Sequence, residues 1–597
     1  MTLKNYFYLT VLALFSVAVT AQENVAKKPS YVGTIDYMEY VPSLSSRIND
    51  LIPAYDSNKE AKDKRSISNY IVAGQDPQTE DDYYVRNRHE MEQSIQMAPA
   101  SLVFDAYASS SQPTDPSLAV GPNHVFVVYN TGFRIFDKSG NPLTEQLGPG
   151  NIFPSSGCCD LTVSYDNTAD RWVLTFLSIN NGAQIAVSNG SDPVQSTWNV
   201  FTISAIQDYQ KLSVWRDGYY ITENTSGSNK VWVMERTAML AGSTSVGVQG
   251  FDLPGIATFG FFSPQVLSVT NGNLPTSGGA TVVYMQDDAW SGVSNDHLKY
   301  WTIDVDWAAP GNSTVSAAQQ IPTTPFISVF DNGSFSNLRQ PGGGRPISVD
   351  ALQATIMNQA QFRKFSTYNS ALFNFVVDTD ASSGELAGIR WYELRQPSGG
   401  GAWTINQEGT YTAPDGRHAW MGSLAMDGLG NIGMGYTSMS GPNTPNTVYI
   451  SSYFTGRGSN DPPGTMTVAE GLIANGDRKI PGTRYGDYSK IDVDPSDDSS
   501  FWFINEYMNG SRKGVVGRFQ IQTAPPDTEA PTDPSNLVAS NITDISATLT
   551  WTESIDNVGV DHYNISIDGN VVGTSNNTTF DVSGLTELTS YTASVNA

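Results

Sequence analysis

Cysteine is almost absent from this chain: its 597 residues include two, Cys158 and Cys159, and they are neighbours. A framework of disulfide-closed loops cannot be built from them, so stability must come from packed apolar surface. The pair offers either one small ring or two buried thiols, and the sequence leaves both open. Basic residues are also scarce, 33 Lys and Arg against 59 Asp and Glu, for a formal net charge of −26. That balance disfavours non-specific attraction to nucleic acid or an anionic membrane surface and suits solubility in a salty exterior. The five histidines are scattered, with no His-Glu-x-x-His, and neither a Gly-x-Ser-x-Gly elbow nor a phosphate-binding Gly-Lys-Ser/Thr loop occurs. No nucleotide cofactor is therefore expected.

Long apolar runs are missing after the leader, and so is long helical periodicity. The run 6–15 is too short to cross a bilayer and is followed by Val19-x-Ala21, so residues 1–21 read as a secretory signal peptide. Residues 22–100 read as a polar leader, partly disordered.

Glycine (53), proline (32) and aromatics (11%) are plentiful, as many short strands joined by turns require. The stretch Leu424-Ala-Met-Asp427-Gly-Leu-Gly-Asn431-Ile-Gly433-Met-Gly435-Tyr436 shows the unit plainly: strand, Asp-Gly/Gly-Asn turn, then a strand with glycine at alternate positions. Similar units open at Leu118, Leu161, Leu212, Leu267, Ile347 and Ile491. The Ile347 copy is the weakest, with Ala354 as its alternative start. About seven such units predict an all-β chain, with a β-propeller over residues 101–522. The segment Leu102-Val-Phe-Asp105 is placed to pair with the last blade and close the ring. Later units are more widely spaced than the early ones, and so must contain long loops of the kind that often carry function. The tryptophans of the outer strands read as packing between blades rather than as sugar platforms.

In a propeller, the connection entering each innermost strand lies on one rim, so residues just before each anchor should converge. Those are Asp115, Asp160, Asp208 with Tyr209 and Lys211, Gln265, Arg345, His418 with Trp420, and Arg484 with Tyr485, Asp487 and Tyr488. Asp160, Asp208 and Asp487 supply candidate paired carboxylates and His418 a candidate acid or base, while Arg484 and Lys211 suit a substrate carboxylate or sulfate. The competing reading is structural: Asp caps turns, and Asp-Arg pairs tie neighbouring blades. No metal is assigned, although calcium is the cation that Asp492-x-Asp494-x-x-Asp497-Asp498 and Asp378-x-Asp380 would suit. Neither has the full EF-hand spacing, so solvated turns compete with that reading.

Residues 523–534 are a Pro-rich linker, and 535–597 carry short strand-like runs around a single tryptophan. With Trp551 at the core position and Leu585 and Tyr591 at the tyrosine corner, this last part resembles a fibronectin type III domain, truncated before its final strand. The larger part resembles a family of secreted bacterial β-propeller proteins through Gly157-x-x-Asp160-Leu-Thr-Val, Asp208-Tyr-Gln-Lys211, Arg390-Trp-Tyr-Glu, Arg417-His-Ala-Trp420 and Arg484-Tyr-Gly-Asp-Tyr488. That resemblance implies a fold without supplying a reaction, and a sialidase-type Ser-x-Asp-x-Gly-x-Thr-Trp box is missing. The expected function is to bind, and perform cleavage of, an extracellular polysaccharide at the rim, as a glycoside hydrolase or polysaccharide lyase. The alternative is a non-catalytic surface or matrix scaffold. The expected partner is a glycan or a surface protein, outside the cell, without nucleic acid and without a membrane span.

Overall fold

A run of small residues can be dictated by what packs on it, and Gly433 and Gly435 are such a case. A Cβ on Gly433 would lie 2.8 Å from the Phe501 ring, and one on Gly435 would lie 2.1 Å from the Phe503 ring. Both rings belong to the next sheet, so only glycine admits the contact. The hairpin before them is sealed by Asp427, whose Oδ1 accepts from the backbone N–H groups of Leu429 and Asn431, both at 2.9 Å. Asp137 does the same for Ser139 and Asn141 at 2.8 and 2.9 Å, so the turn chemistry recurs with the repeat.

The computed structural model describes residues 25–55, 80–87, 99–155, 157–178, 182–225, 230–330, 336–381, 385–444, 447–521, 530–556, 560 and 562–597. Residues 1–21, expected as a signal peptide, and most of 523–534, expected as a linker, lie outside them. The chain divides into two units, Met1–Gln522 and Thr523–Ala597.

Among the described residues of the first unit, seven sheets of three to five strands follow one another along the chain, with one two-stranded ribbon besides. Their first strands lie side by side around an axis. Ser117–Val120 packs on Cys159–Asp166, which packs on Asp208–Val214, and Lys490–Val493 contacts both His418–Met426 and Ser117–Val120. The ring so formed is a β-propeller. Its last sheet is completed by Leu102–Ala108, which runs antiparallel to Ser511–Gln520 in the register Phe104 to Val516. Trp172, Trp198, Trp301, Trp391 and Trp502 are fully buried, as packing residues should be.

Two expectations need correction. The Ile347 copy is not an inner strand: Ser348–Val349 pairs with Leu338–Arg339 as the two-stranded ribbon. Ala354 does not start one either, since it and Leu352 adopt left-handed backbone, with φ of 62° and 59°. The fifth sheet instead starts from Ser268–Val269, which runs parallel to Gln361–Lys364, the strand that opens its antiparallel part. Residues 326–357, the long insertion, place Phe330, Leu338, Val349 and Leu352 in one apolar cluster with Tyr209, Trp420 and Tyr488.

The polar leader also contributes to the body. Tyr31–Thr34 pairs antiparallel with Gly247–Phe251, and Tyr37–Val41 with Trp198–Ile203. Polarity here reflects an edge position, where one face meets solvent and pairing needs only backbone groups. Farther on, the buried Asp82 carboxylate pairs with the buried Arg390 guanidinium at 2.9 Å.

The second unit is a sandwich of two three-stranded sheets around Leu549, Trp551, Tyr563, Ile565 and Val582. The Tyr591 hydroxyl accepts from Thr586 N–H at 2.8 Å, the bond of a tyrosine corner.

Candidate functional site

The inner strands of three sheets start with the same irregularity. Register shifts fall between Cys159 and Thr162, between Asp208 and Lys211, and between Trp420 and Ser423. Inside these bulges Asp160, Tyr209 and Met421 have φ of 53°, 58° and 48°, and Asp115, just before its own strand, has 51°. Left-handed backbone is uncommon for any residue with a side chain, and for Tyr or Met it marks a position held by its surroundings. A bulge redirects the side chains around it, here at one end of the ring.

Four carboxylates meet at that end. Asp115 Oδ1 accepts from Asp487 N–H at 2.6 Å and its Oδ2 from the Asn130 amide at 2.7 Å. Asn130 Oδ1 in turn accepts from Asp160 N–H at 2.8 Å, and the Gln210 amide donates to Asp160 O at 2.7 Å. Burial pushes Asp115 well above the usual carboxylate range, and the charges of Asp487 and Asp160 add to it. Asp160 is pushed up to about 7 by burial, then by Asp208 and Asp487, against the pull of Lys211 and Arg484. Arg484 Nη2 donates to Asp487 Oδ2 at 2.8 Å. Lys211 Nζ lies 3.2 Å from the centre of the Tyr209 ring and 3.3 Å from that of Tyr488, a buried cation between two aromatic faces. Tyr209 donates to Asp487 O at 3.0 Å and Tyr488 to Gln210 O at 3.2 Å. Asp115, Lys211 and Tyr488 are 1 to 2% exposed, whereas Asp160 and Asp208 are partly exposed as residues.

The expected rim set therefore separates into parts. Asp115, Asp160, Asp208, Tyr209, Lys211, Arg484, Asp487 and Tyr488 form one electrostatic cluster. Trp420 and Tyr485 pack beside it, with ring centres 5.6 Å apart and planes tilted by 57°, in the apolar layer. Gln265 is spent on the backbone, donating to Ile356 O and accepting from Ala360 N–H. His418 lines a different cavity, of about 570 Å³, with Arg339, Gln340 and Glu385. Its Nδ1 accepts from Ala387 N–H at 3.2 Å, and burial lowers the ring to about 4, so it is neutral at ordinary pH. Arg345 is exposed, with its carbonyl accepting from Lys479. It does not join the carboxylates because the strand expected after it is absent. Asn130 went unnoticed in the sequence, where nothing distinguishes a strand-end Asn.

The acidic runs considered for calcium are engaged otherwise. Asp494 pairs with Lys138 at 2.7 Å, Asp498 with Arg363, and Asp497 accepts from Ser499 and Ser500 N–H. Asp378 Oδ1 accepts from Asp380 N–H at 3.3 Å and Leu386 N–H at 3.1 Å. Among the described residues a further acidic group joins Asp287, Asp288 and Asp296, with ligand atoms within 4.8 Å of one another. Asp287 Oδ2 accepts from Ser328 N–H and Oγ–H, both at 2.7 Å, and its Oδ1 accepts from Ala289 N–H at 2.8 Å. Asp296 accepts from Asp288 N–H at 2.8 Å and Phe326 N–H at 2.6 Å. These carboxylates brace the loop at 326–328.

Residues 530–597 match the family model of the fibronectin type III domain and are such a domain. Over 76 residues the chain is 43% identical to chitinase Chi52 of Paenibacillus xylanexedens, a match of 13% of this chain and 14% of that one. Over 96 residues it is 44% identical to chitinase 63 of Streptomyces plicatus, 15% of this chain and 16% of that one. It is 36% identical over 97 residues to exoglucanase B of Cellulomonas fimi, 16% and 9% of the two chains. The chain thus spans about a sixth or less of the length of each of these relatives. Among solved structures, the WD40 domain of SCAP from fission yeast overlaps with a TM-score of 0.33 at 8% identity, over 72% of this chain and 99% of that one. An endo-1,4-beta-xylanase from Bacteroides thetaiotaomicron overlaps with a TM-score of 0.27 at 11% identity, over 62% and 100%. Overlaps this slight carry no weight; the fold rests on the strand pairing above. Among the described residues no helix is long and apolar enough to cross a membrane.

Proposed function

We propose that the protein binds an extracellular polysaccharide at the propeller rim and cleaves it there, with Asp160 as the proton donor. One observation carries this reading: carboxylates from four separate turns, two cations and two tyrosines converge at one end of the ring, where Asp160 and Asp208 are partly exposed residues. Asp160, pushed up to about 7, is present in both protonation states at neutral pH, as a group that must give and regain a proton requires. Asp208, the first charge acting on it, is the candidate partner carboxylate. The fibronectin type III domain supports the assignment, since its relatives include proteins named chitinase and exoglucanase. Export, expected from residues 1–21, puts the chain where such polymers occur.

The full chain incubated with neutral, uronic and sulfated polysaccharides is expected to release oligosaccharides detectable by mass spectrometry. Release is expected to fall by about 100-fold or more in Asp160→Asn. Absence of both binding and release across the panel overturns the proposal. A second reading, a non-catalytic binding scaffold, is favoured by the burial of Asp115, Lys211 and Tyr488, which hold one another as a brace would. Binding without release, unchanged in Asp160→Asn, selects it.

A further inference from the structure

On the side of the propeller, the short helix Tyr83–Arg86 lies against the strand Thr404–Tyr411, and a cleft of about 580 Å³ opens between them. That volume is in the range of small-ligand sites, roughly 300–1,000 Å³. The helix is fixed in place. Besides the Asp82–Arg390 pair, Asp82 N–H donates to Thr379 O at 3.2 Å, and the hydroxyls of Tyr84 and Thr324 are 2.9 Å apart. The wall is therefore preorganised, although it is built from a polar leader segment.

The lining combines three chemistries. Tyr83 is 45% exposed, and its ring stands at 90° to that of Tyr84 with centres 5.4 Å apart, forming an aromatic corner. Asn87 and Asn406 donate through their amide nitrogens to Tyr83 O and to Glu393, both at 2.8 Å, which leaves their carbonyl oxygens as acceptors at the edge. Deeper in, Thr410 Oγ1 is buried without a hydrogen-bond partner. Glu408 is already engaged there, by Arg390 at 3.8 Å, by Thr324 and by Tyr84. Buried polar atoms normally have partners, and Thr410 Oγ1, in the wall of the cleft, is one without.

We propose that this cleft is a binding site for uncharged pyranose units, separate from the rim. Sugar hydroxyls would donate to the Asn87 and Asn406 carbonyl oxygens and exchange a hydrogen bond with Thr410 Oγ1, while the C–H face of the ring packs on Tyr83. A carboxylate in the wall and a net charge of −26 disfavour uronic or sulfated sugars. The site does not depend on the rim reading: it would hold a polymer strand whether or not the rim cleaves it.

The test uses calorimetric titration of the full chain with cellohexaose, xylohexaose and, as the charged control, hexagalacturonate. At least one uncharged hexaose is expected to bind more tightly than the control. Tyr83→Ala and Thr410→Val are each expected to weaken it about tenfold, the loss of one good contact, while Leu429→Ala, at an exposed position outside both sites, leaves it unchanged. Tyr83 is exposed and Thr410→Val keeps its shape, so both variants should melt with the parent. Failure of both uncharged hexaoses to bind overturns the proposal, as does binding that survives both substitutions. Binding lost only in Asp487→Asn overturns it too, and leaves the rim reading standing.

Discussion

Two acidic groups in the same propeller neutralise their charge by different means. Around Asp287 and Asp296 the oxygens accept from backbone N–H groups and Ser328, and the result ties one loop to one sheet. Around Asp115, Asp160, Asp208 and Asp487 much of the compensation comes from Lys211 and Arg484, cations from different parts of the chain, and the backbone is left-handed at two of the acids. A carboxylate answered by fixed amides is committed to its loop. One answered by side chains from elsewhere in the chain is tied to several elements at once.

Three experiments sharpen or break this contrast. The largest effect is expected from Asp287→Ala, which leaves three buried donors without an acceptor and should cost about 3–5 kcal/mol in urea unfolding. A cost under about 1 kcal/mol would show that the loop is not braced there. Asp160→Asn should leave stability near pH 4 within about 1 kcal/mol, because the carboxyl is neutral there in the folded state, and raise it at pH 7, so that the pH dependence changes. Its folded pKa of about 7 lies above the unfolded value of about 4, so the native state holds the proton longer. Its contribution is complete at low pH and is lost as pH rises from about 4 through about 7, and Asp160→Asn should flatten that decline. An unchanged slope would place the titration elsewhere, with Asp287 and Asp296, at about 6 and about 8, as the groups to test. The smallest effect should come from reducing the disulfide that joins Cys158 to Cys159, next to Asp160. A bond between neighbours closes almost no loop, so stability should fall by about 1 kcal/mol or less. A larger loss would mean that the ring holds the rim turn as well as itself.

Much of the propeller was legible because its units repeat a turn whose chemistry is local. Asp427 and Asp137 announce their hairpins, and the alternation of 102–105 announces ring closure. Ile347 misled because Ser348–Val349 has the pattern of an inner strand but finds its partner in the nearby Leu338–Arg339. The rim residues could be named in advance because topology alone brings strand entrances together. The bulges could not, since neither Tyr209 nor Met421 belongs to the residue types that signal positive φ. Nothing in the sequence singles out Asp287-Asp288, and only the packing of 326–328 over it reveals the brace. Tyr83 was passed over for the same reason as the leader strands: a polar context conceals a segment whose anchoring depends on one distant arginine.

The leader strands reverse the usual relation between birth order and completion. Tyr31–Thr34 and Tyr37–Val41 leave the ribosome early, but their partners end at Phe251 and Ile203. Leu102–Ala108 waits longer still, for Ser511–Gln520. Until those partners exist, the early segments have nothing to pair with. Once they do, the same segments become the clasps that finish the ring and cover two of its open edges.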